Sequence, residues 1–319
     1  MVVGLEEKLR AMLSETVGRC VDFNTGILLS GGLDTSILAY EAAKCVEVKA
    51  YTVAMKGADA QDLKYARMVS DHLRLEHKVL EFGIEEVFEA LPKLIKILGV
   101  FDPMEVRNSL AIYLGMGFAK EEGANTLLTG DGADELFAGY DFIINKASEE
   151  IEKELRHLWK VMTFSSFDIG KNYGISVKAP YLDEKIKKFA MGAGVEFKVG
   201  KRNGKLFGKW ILRKAYEGLL PEEIIWRAKT PIERGTGTNI LPSLFERKIS
   251  DELFNERREL YFNVDSVRIR DKEQLVYYEV FREVIGPPEA TGEGRHCPCC
   301  TSVLREGSKF CRTCGAYPV

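Results

Sequence analysis

The sequence lacks any long hydrophobic run, which argues against a membrane-spanning protein. No apolar stretch among its 319 residues approaches the roughly 20 that a transmembrane helix needs. The chain also does not open with the charged and apolar regions of a secretory signal. We therefore expect a cytoplasmic protein with no membrane partner. Glutamine is scarce, with Gln61 and Gln274 only, and this indicates a thermophilic source.

The sequence also lacks a strong charge of either sign. Its net charge is −3, which argues against a protein that binds nucleic acid through bulk electrostatics but leaves room for local basic patches. Residues 197–216 form one such patch, with seven Lys or Arg and no acid. They could face phosphate or RNA, but we favour a solvated helix face.

Strand and helix patterns alternate through the first half of the chain. Strand patterns occupy residues 26–29, 46–54, 77–82 and 125–129, and helical patterns occupy residues 4–21, 33–44, 59–73, 85–98 and 110–122. Strands separated by helices of this length predict an α/β fold, a parallel sheet flanked by helices. Ligands bind such sheets at the carboxyl ends of the strands.

The second half is helical in pattern from about residue 139 to residue 285. Residues 176–183 and a Gly/Thr-rich loop at residues 230–238 interrupt it. We predict one large domain over residues 1–285, with a nucleotide-binding half to about residue 140 and a helical half from 141. Residues 286–294 have linker composition, and residues 295–319 form a separate Cys-rich unit.

Residues 30–36 are the most informative segment, because they join an apolar strand to a helix through two glycines. Such a turn presents free N–H groups and a positive dipole end to a phosphate. The candidate pyrophosphate-binding residues are Ser30, Gly31, Gly32, Asp34, Thr35 and Ser36, and Asp34 can hold magnesium there. No Gly-Lys-Ser/Thr follows at Walker spacing, so this is not the ordinary P-loop. The alternative is a Gly-rich turn without a ligand.

Residues 129–140 form a second candidate loop, in which glycines alternate with acids before a helix. Asp131, Asp134 and Glu135 would repel a nucleotide unless they bind magnesium or meet a cation. The alternative is a solvated helix N-terminus, where acids are favoured by the helix dipole.

Five of the seven cysteines lie within residues 297–314, and this crowding favours a metal over disulfides. Cys297, Cys300, Cys311 and Cys314 form two CxxC pairs, which predict a structural zinc ribbon. A unit of 25 residues could hardly fold without a metal. Iron–sulfur binding or disulfide pairing are the alternatives, and His296 or Cys299 could displace a ligand.

Together, the two loops resemble the synthetase domain of glutamine-dependent asparagine synthetase, an N-type ATP pyrophosphatase with a PP-loop. That superfamily has an adenine nucleotide alpha hydrolase-like fold. Further matches follow in family order at residues 51–57, 177–183, 209–213 and 227–229, so the resemblance covers roughly residues 4–245.

The resemblance implies ATP as co-substrate and a role for each matching residue. The residues at 30–36 would hold pyrophosphate, Leu28, Val53, Thr129 and Gly130 would frame adenosine, and Asp34 and Asp134 would bind Mg²⁺. Lys229 would neutralise charge on the phosphates in the transition state. Asp131 would lie near the acyl group, where the family usually has the longer Glu. Arg107 is similar to a family arginine.

The usual family member begins with a glutaminase domain whose catalytic cysteine follows the initiator methionine. Here residue 2 is Val and the synthetase-like region begins almost at once. We therefore expect nitrogen from ammonia, an amine substrate or a separate glutaminase subunit. Members without that cysteine, such as β-lactam synthetases, form amides within one molecule.

The resemblance implies an AMP-forming ligase that adenylates a small carboxylate and forms an amide, with aspartate to asparagine as the leading instance. A homodimer is compatible with this. The first alternative is a tRNA-modifying PP-loop pyrophosphatase, since some relatives carry zinc ribbons. The second is a non-catalytic nucleotide-binding adaptor that acts through its ribbon.

Overall fold

The computed structural model describes residues 4–319, so residues 1–3, including the Val2 position discussed above, lie outside the described residues. The chain divides into two compact units. The first comprises the described residues up to Ala54 with Ala60–Leu80 and Gly115–Pro231, and the second comprises Met55–Asp59, Glu81–Leu114 and Ile232–Val319. The Cys-rich tail falls within the second unit. The domain boundaries near residues 140 and 285 stay predictions from the sequence.

A five-stranded sheet lies almost entirely in the first unit. Its strands are β1 (Thr25–Leu28), β2 (Lys49–Met55), β3 (Glu76–Phe82), β4 (Thr126–Leu128) and β5 (Ser176–Lys178), in the order β3-β2-β1-β4-β5. β1 pairs in parallel with β2 and β4, and β4 pairs in parallel with β5. The predicted parallel α/β fold is therefore confirmed, and the stretch at residues 176–183 contributes its fifth strand.

The helices, in chain order, are α1 (Leu5–Cys20), α2 (Leu33–Ala43), α3 (Gln61–Leu73), α4 (Ile84–Leu98), α5 (Pro103–Glu121), α6 (Ala133–Phe137), α7 (Asp141–Ile144), α8 (Ser148–Val161), α9 (Ser165–Tyr173), α10 (Glu184–Gly192), α11 (Val195–Lys198), α12 (Trp210–Tyr216), α13 (Glu222–Ile225), α14 (Ile232–Thr236), α15 (Leu241–Lys248), α16 (Asp251–Asp265) and α17 (Lys272–Val284). Short 3₁₀ helices occupy Pro180–Leu182 and Thr238–Ile240. Across residues 4–319, no helix is long and apolar enough to cross a bilayer.

The core of the first unit supports the strand and helix on either side of the first loop. Leu9, Leu13 and Val17 recur every four residues on α1 and are fully buried against this core. Ile27 of β1 and Ile37 of α2 are also fully buried in it. The turn between β1 and α2 is thus held at both ends by apolar packing.

Residues 197–216 do not form the solvated helix face that we favoured. They contain a hairpin of two short antiparallel strands, β6 (Gly200–Arg202) and β7 (Lys205–Phe207), followed by α12. Asn203 and Gly204 both have positive φ, as a two-residue hairpin turn of type I′ requires. The loop predicted at residues 230–238 also differs, because it contains the short helix α14.

Candidate functional site

The two predicted loops lie at the same edge of the sheet. The strand order reverses at β1, which has β2 on one side and β4 on the other. Ser30 and Thr129 follow the carboxyl ends of β1 and β4 closely. A crevice outside the strand ends at such a reversal is where parallel α/β sheets bind ligands.

The first loop is ordered by its own hydroxyl groups. Ser30 Oγ lies 3.1 Å from Thr35 Oγ1 and accepts a hydrogen bond from the Gly32 N–H at 3.2 Å. Ser36 Oγ donates to the Gly32 carbonyl at 2.7 Å. Gly31 has a φ of +64°, and a Cβ there would collide with the backbone of Tyr65. The loop therefore requires this glycine, and the first turn of α2 leaves N–H groups without intrahelical acceptors.

Arg227 braces the first loop, a role that its sequence block did not reveal. Its guanidinium donates to the Ser30 carbonyl at 2.9 Å and to Asp62 Oδ1 at 2.7 Å. It also lies 4.0 Å from the centre of the Tyr65 ring. Burial raises the pKa of Asp62, and the charge of Arg227 opposes that rise. Arg227 thus connects the first loop to α3.

We expect Arg227→Lys to lower the free energy of unfolding by about 2 kcal/mol, because a lysine cannot make both bonds and stack on Tyr65. Since the sequence predicts that this loop binds ATP, the KM for ATP should rise roughly tenfold as the loop loosens. Urea unfolding and ATP titration of the rate measure the two effects. Arg156→Lys, at an exposed ion pair with Glu152, is the matched control and should change neither. Equal effects in both variants would contradict this role.

Two carboxylates from the predicted loops converge on two lysines. Lys209 Nζ lies 2.5 Å from Asp34 Oδ2 and 2.8 Å from Asp134 Oδ1. Lys229 Nζ lies 2.6 Å from Asp134 Oδ2. The side chain of Lys209 is 5% exposed and that of Lys229 is 29% exposed, so Lys229 is the more accessible cation. Sequence reasoning had placed Lys209 in a matching block without giving it a role.

Neighbouring charges in this cluster favour the charged forms of Asp134 and Lys229. Burial alone would raise the pKa of Asp134, but Lys209 and Lys229 outweigh it and hold that pKa well below its usual range. Burial would lower the pKa of Lys229, but Asp134 and Asp34 raise it above its usual value. Gly139 makes room for the cluster, since a Cβ there would overlap the Asp134 carboxylate and Lys209.

Asp131 makes different contacts from the other two aspartates. Its Oδ2 accepts hydrogen bonds from Thr129 Oγ1 at 2.8 Å and from Ser166 Oγ at 2.5 Å. Burial raises the pKa of Asp131, and these two hydrogen bonds oppose the rise. The structure thus adds Ser166, on α9, to the candidate site. Ser166 is one of two adjacent serines, and no signal in the sequence marks it as a site residue.

The raised pKa of Asp131 predicts a pH-dependent difference between wild type and Asp131→Asn. The folded state holds the Asp131 proton more tightly, so wild type loses this contribution as pH rises above the unfolded pKa of about 3.9. Asparagine can accept both hydrogen bonds and does not titrate. We expect the variant to lie within about 1 kcal/mol of wild type at pH 4 and to gain relative stability toward pH 7.

Urea unfolding of both proteins at several pH values measures this difference. A difference that stays flat with pH would show that the Asp131 pKa is the same in the folded and unfolded chain.

The predicted adenosine-side residues lie around Gly115 of α5 and the start of α2. A Cβ built on Gly115 would lie 3.2 Å from Leu28 Cδ2 and 3.4 Å from Val53 Cγ1, so the two side chains share one apolar wall. A Cβ on Gly130 would lie 3.2 Å from Asp34 Cβ. The predicted adenosine-side and phosphate-side residues are thus contiguous.

In the second unit, the four predicted ligand cysteines meet. Their Sγ atoms all lie within 4.8 Å of one another, and all four residues are buried. The Cys297–Cys314 and Cys300–Cys311 pairs have Sγ–Sγ distances of 3.7 and 3.6 Å. A tetrahedron with Zn–S bonds of about 2.3 Å has edges of about 3.8 Å, so the four thiols fit a tetrahedral metal ion. Cys299 is outside the set, and its N–H donates to Cys297 Sγ at 3.4 Å.

Arg107 is also in the second unit, within a carboxylate network. Its Nε lies 2.8 Å from Glu233 and its Nη1 lies 2.5 Å from Glu273. Burial raises the pKa of Glu273 to about 7, although Arg107 opposes the rise. The guanidinium is therefore fixed by two acids of its own unit.

The sequence of this chain is similar to those of known proteins. The family model for asparagine synthase matches residues 8–167 and 168–303. A probable glutamine-hydrolysing asparagine synthetase of Dictyostelium discoideum is 30% identical over 321 residues, covering 89% of this chain and 57% of that protein. Asparagine synthetase B of Escherichia coli K12 is 29% identical over 89% of this chain and 55% of its own length. The Homo sapiens enzyme is 29% identical over 87% and 52%, respectively. The chain thus spans about half the length of these relatives.

Proposed function

This chain belongs to the asparagine synthase family, and on that premise we propose that it is an ATP-dependent, AMP-forming ligase. It would join a carboxylate to ammonia or an amine, and aspartate to asparagine is the instance that its relatives favour. The convergence of Asp34, Asp134, Lys209 and Lys229 at the carboxyl ends of β1 and β4 is the observation that supports the proposal.

In the proposed first half-reaction, a substrate carboxylate oxygen attacks the α-phosphorus of ATP. The new O–P bond forms as the bond to the bridging oxygen of pyrophosphate breaks, and negative charge gathers on the leaving group. The first loop binds that group with N–H and hydroxyl groups fixed before ATP arrives. Lys229, the more exposed lysine, offsets the developing charge.

Asp34 and Asp134 would hold Mg²⁺ in this site. Asp34 Oδ1 is buried and has no hydrogen-bond partner among the described residues, and an oxygen of this kind suits a hard cation. Held by these two carboxylates, Mg²⁺ would offset negative charge that develops on the phosphates. Lys209 contacts both carboxylates and thereby holds them close together.

In the second half-reaction, the nitrogen of ammonia or an amine attacks the acyl carbon, AMP leaves, and the nitrogen loses a proton. We propose that Asp131 lies on this side of the site and acts on the acyl group or the incoming nitrogen. Thr129 and Ser166 hold its carboxylate in one orientation. The shorter side chain, compared with the Glu usual in the family, would set the reach of that carboxylate.

We propose that the four-cysteine cluster binds zinc, since four thiolates at tetrahedral spacing suit that ion and leave no position open for substrate. The zinc would therefore be structural.

Three further points stay predictions from the sequence: a cytoplasmic location, a separate glutaminase subunit and a homodimer.

Pyrophosphate release from ATP by the purified protein tests the proposed function. The substrate panel contains aspartate with ammonia, other carboxylates with amines, and tRNA. We expect release with aspartate and ammonia, together with AMP and asparagine in equal amounts. Release with tRNA alone would instead identify a tRNA-modifying enzyme, and no release with any substrate would favour a nucleotide-binding adaptor.

A further inference from the structure

The four-cysteine centre is bound into the second unit through the loop that carries Cys311 and Cys314. The Phe101 N–H donates to the Thr313 carbonyl at 2.7 Å. Gln274 Nε2 donates to the Cys314 carbonyl at 2.7 Å, and Arg270 Nη1 donates to the Gly315 carbonyl at 3.0 Å. These bonds come from two separate chain segments, so the cysteine loop lies between them.

Each of those segments is the start of a helix. Gln274 lies in the first turn of α17, is 1% exposed, and uses its amide oxygen to accept the Arg270 N–H at 2.8 Å. Asp102 precedes α5 and accepts the Met104 N–H at 3.3 Å. Its carboxylate lies so close to Gly315 that a Cβ on that glycine would overlap it. The cysteine loop therefore contacts the beginnings of both α5 and α17.

The same two helix starts carry the two members of a largely buried ion pair. Arg107 lies in the second turn of α5 and Glu273 in the first turn of α17, and their side chains are 14% and 5% exposed. Glu273 also accepts a hydrogen bond from Tyr277 Oη at 2.9 Å. A buried ion pair offsets its desolvation cost only when its geometry is good. The Arg107–Glu273 pair thus depends on the spacing between the two helix starts.

We propose that the metal-bound cysteine centre fixes this spacing and thereby holds the Arg107–Glu273 pair together. Arg270 and Gln274 are the positioning residues that connect Cys314 to α17, and Phe101 and Asp102 connect the cysteine loop to α5. The tail is then an integral part of the Arg107 network and not an appended adaptor. This inference does not depend on which reaction the protein catalyses.

Zinc affinity provides the first test, because a coupling between two sites changes the equilibrium at both of them. The probe is zinc alone, partitioned at equilibrium between the protein and a competing chelator. If the centre stabilises the ion pair, then Arg107→Met should weaken zinc binding by roughly fivefold or more, the low end of typical couplings. Arg282→Met is the matched control, since Arg282 pairs with Asp265 near the opposite end of α17. Equal zinc affinities in wild type and Arg107→Met would overturn the proposal.

Hydrogen exchange in the zinc-loaded protein provides the second test. The N–H groups of Val106 and Leu275 make early helical bonds, to the Asp102 and Asp271 carbonyls at 3.0 Å each. Gln274→Met removes the bond to Cys314 while leaving every cysteine in place. We expect exchange of both amides to rise roughly tenfold or more with zinc content unchanged. Arg312→Met, an exposed position in the same cysteine loop, should have no effect.

A more conservative variant covers the case in which Gln274→Met fails to fold. Arg270→Lys keeps a donor near the Gly315 carbonyl, and Arg270→Met removes it. We expect exchange at Leu275 to rise in Arg270→Met and to be largely restored in Arg270→Lys. Unchanged exchange at Val106 and Leu275 in folded Gln274→Met or Arg270→Met, with zinc bound, would show that the centre does not set the helix spacing.

Discussion

Replacing Lys229 with alanine is expected to slow pyrophosphate release roughly 10²–10³-fold, the usual cost of losing one group that stabilises transition-state charge. Lys229 Nζ lies 2.6 Å from Asp134 and is more exposed than Lys209, so it is the cation free to reach a leaving group. The charge it would stabilise is larger in the transition state than in bound ATP. Affinity for ATP should therefore change less, by about tenfold or less.

Single-turnover pyrophosphate release and equilibrium ATP binding separate the two effects. Lys160→Ala, an exposed position in the same unit, is the matched control and should leave both unchanged. A Lys229→Ala variant with wild-type turnover would refute the assigned role. A variant that loses ATP affinity as much as turnover would place Lys229 in uniform binding and not in catalysis.

Local sequence signals were sufficient to predict four of the five strands of the sheet and the two loops. The strand at residues 25–28 and the helix from Leu33 flank two glycines, and this pattern depends only on neighbouring residues. The same holds for the CxxC pairs, whose spacing requires few distant contacts. The structure brings together the predicted Asp34 and Asp134 because parallel strands end at one edge of a sheet.

Contacts between residues far apart in the chain could not be predicted from the sequence. Lys209 lies 175 positions from Asp34, and Arg227 lies 197 positions from Ser30, so neither pairing has a local signature. Ser166 reaches Asp131 across 35 positions in the same way. Each of these side chains is fixed by a packed element whose placement the sequence pattern did not determine.

Two other differences from the predictions occur where a local signal was present, at a hairpin turn and at a helix start. The hairpin turn at Asn203 and Gly204 is a strong local signal, but the run of basic residues around it favoured a helix face. Helix α5 begins at Pro103, seven positions before the predicted start at residue 110. Asp102 followed by proline is a good helix start, whereas the apolar residues of α5 do not follow one stripe.

Replacing Cys311 with serine is expected to release the metal and to lower the first thermal unfolding transition by roughly 6–12 °C. Structural zinc sites contribute about 10–16 kcal/mol of apparent binding energy in isolated peptides. If only about 3 kcal/mol of that stabilises the second unit, the shift follows from about 2–4 °C per kcal/mol. Serine is similar in size to cysteine but supplies no thiolate. The lower transition temperature would therefore come from the loss of a metal ligand and not from a change in packing.

Calorimetry and zinc content of the purified variant measure the result, and Cys299→Ser is its matched control. Cys299 lies between two of the predicted ligands, but its Sγ is not part of the four-sulfur cluster. Its backbone N–H, which donates to Cys297 Sγ, is unchanged by the substitution. Cys299→Ser should therefore keep one zinc per chain and the wild-type transition. If it loses zinc while Cys311→Ser retains it, the ligand set is wrong and the supernumerary cysteine is the fourth ligand.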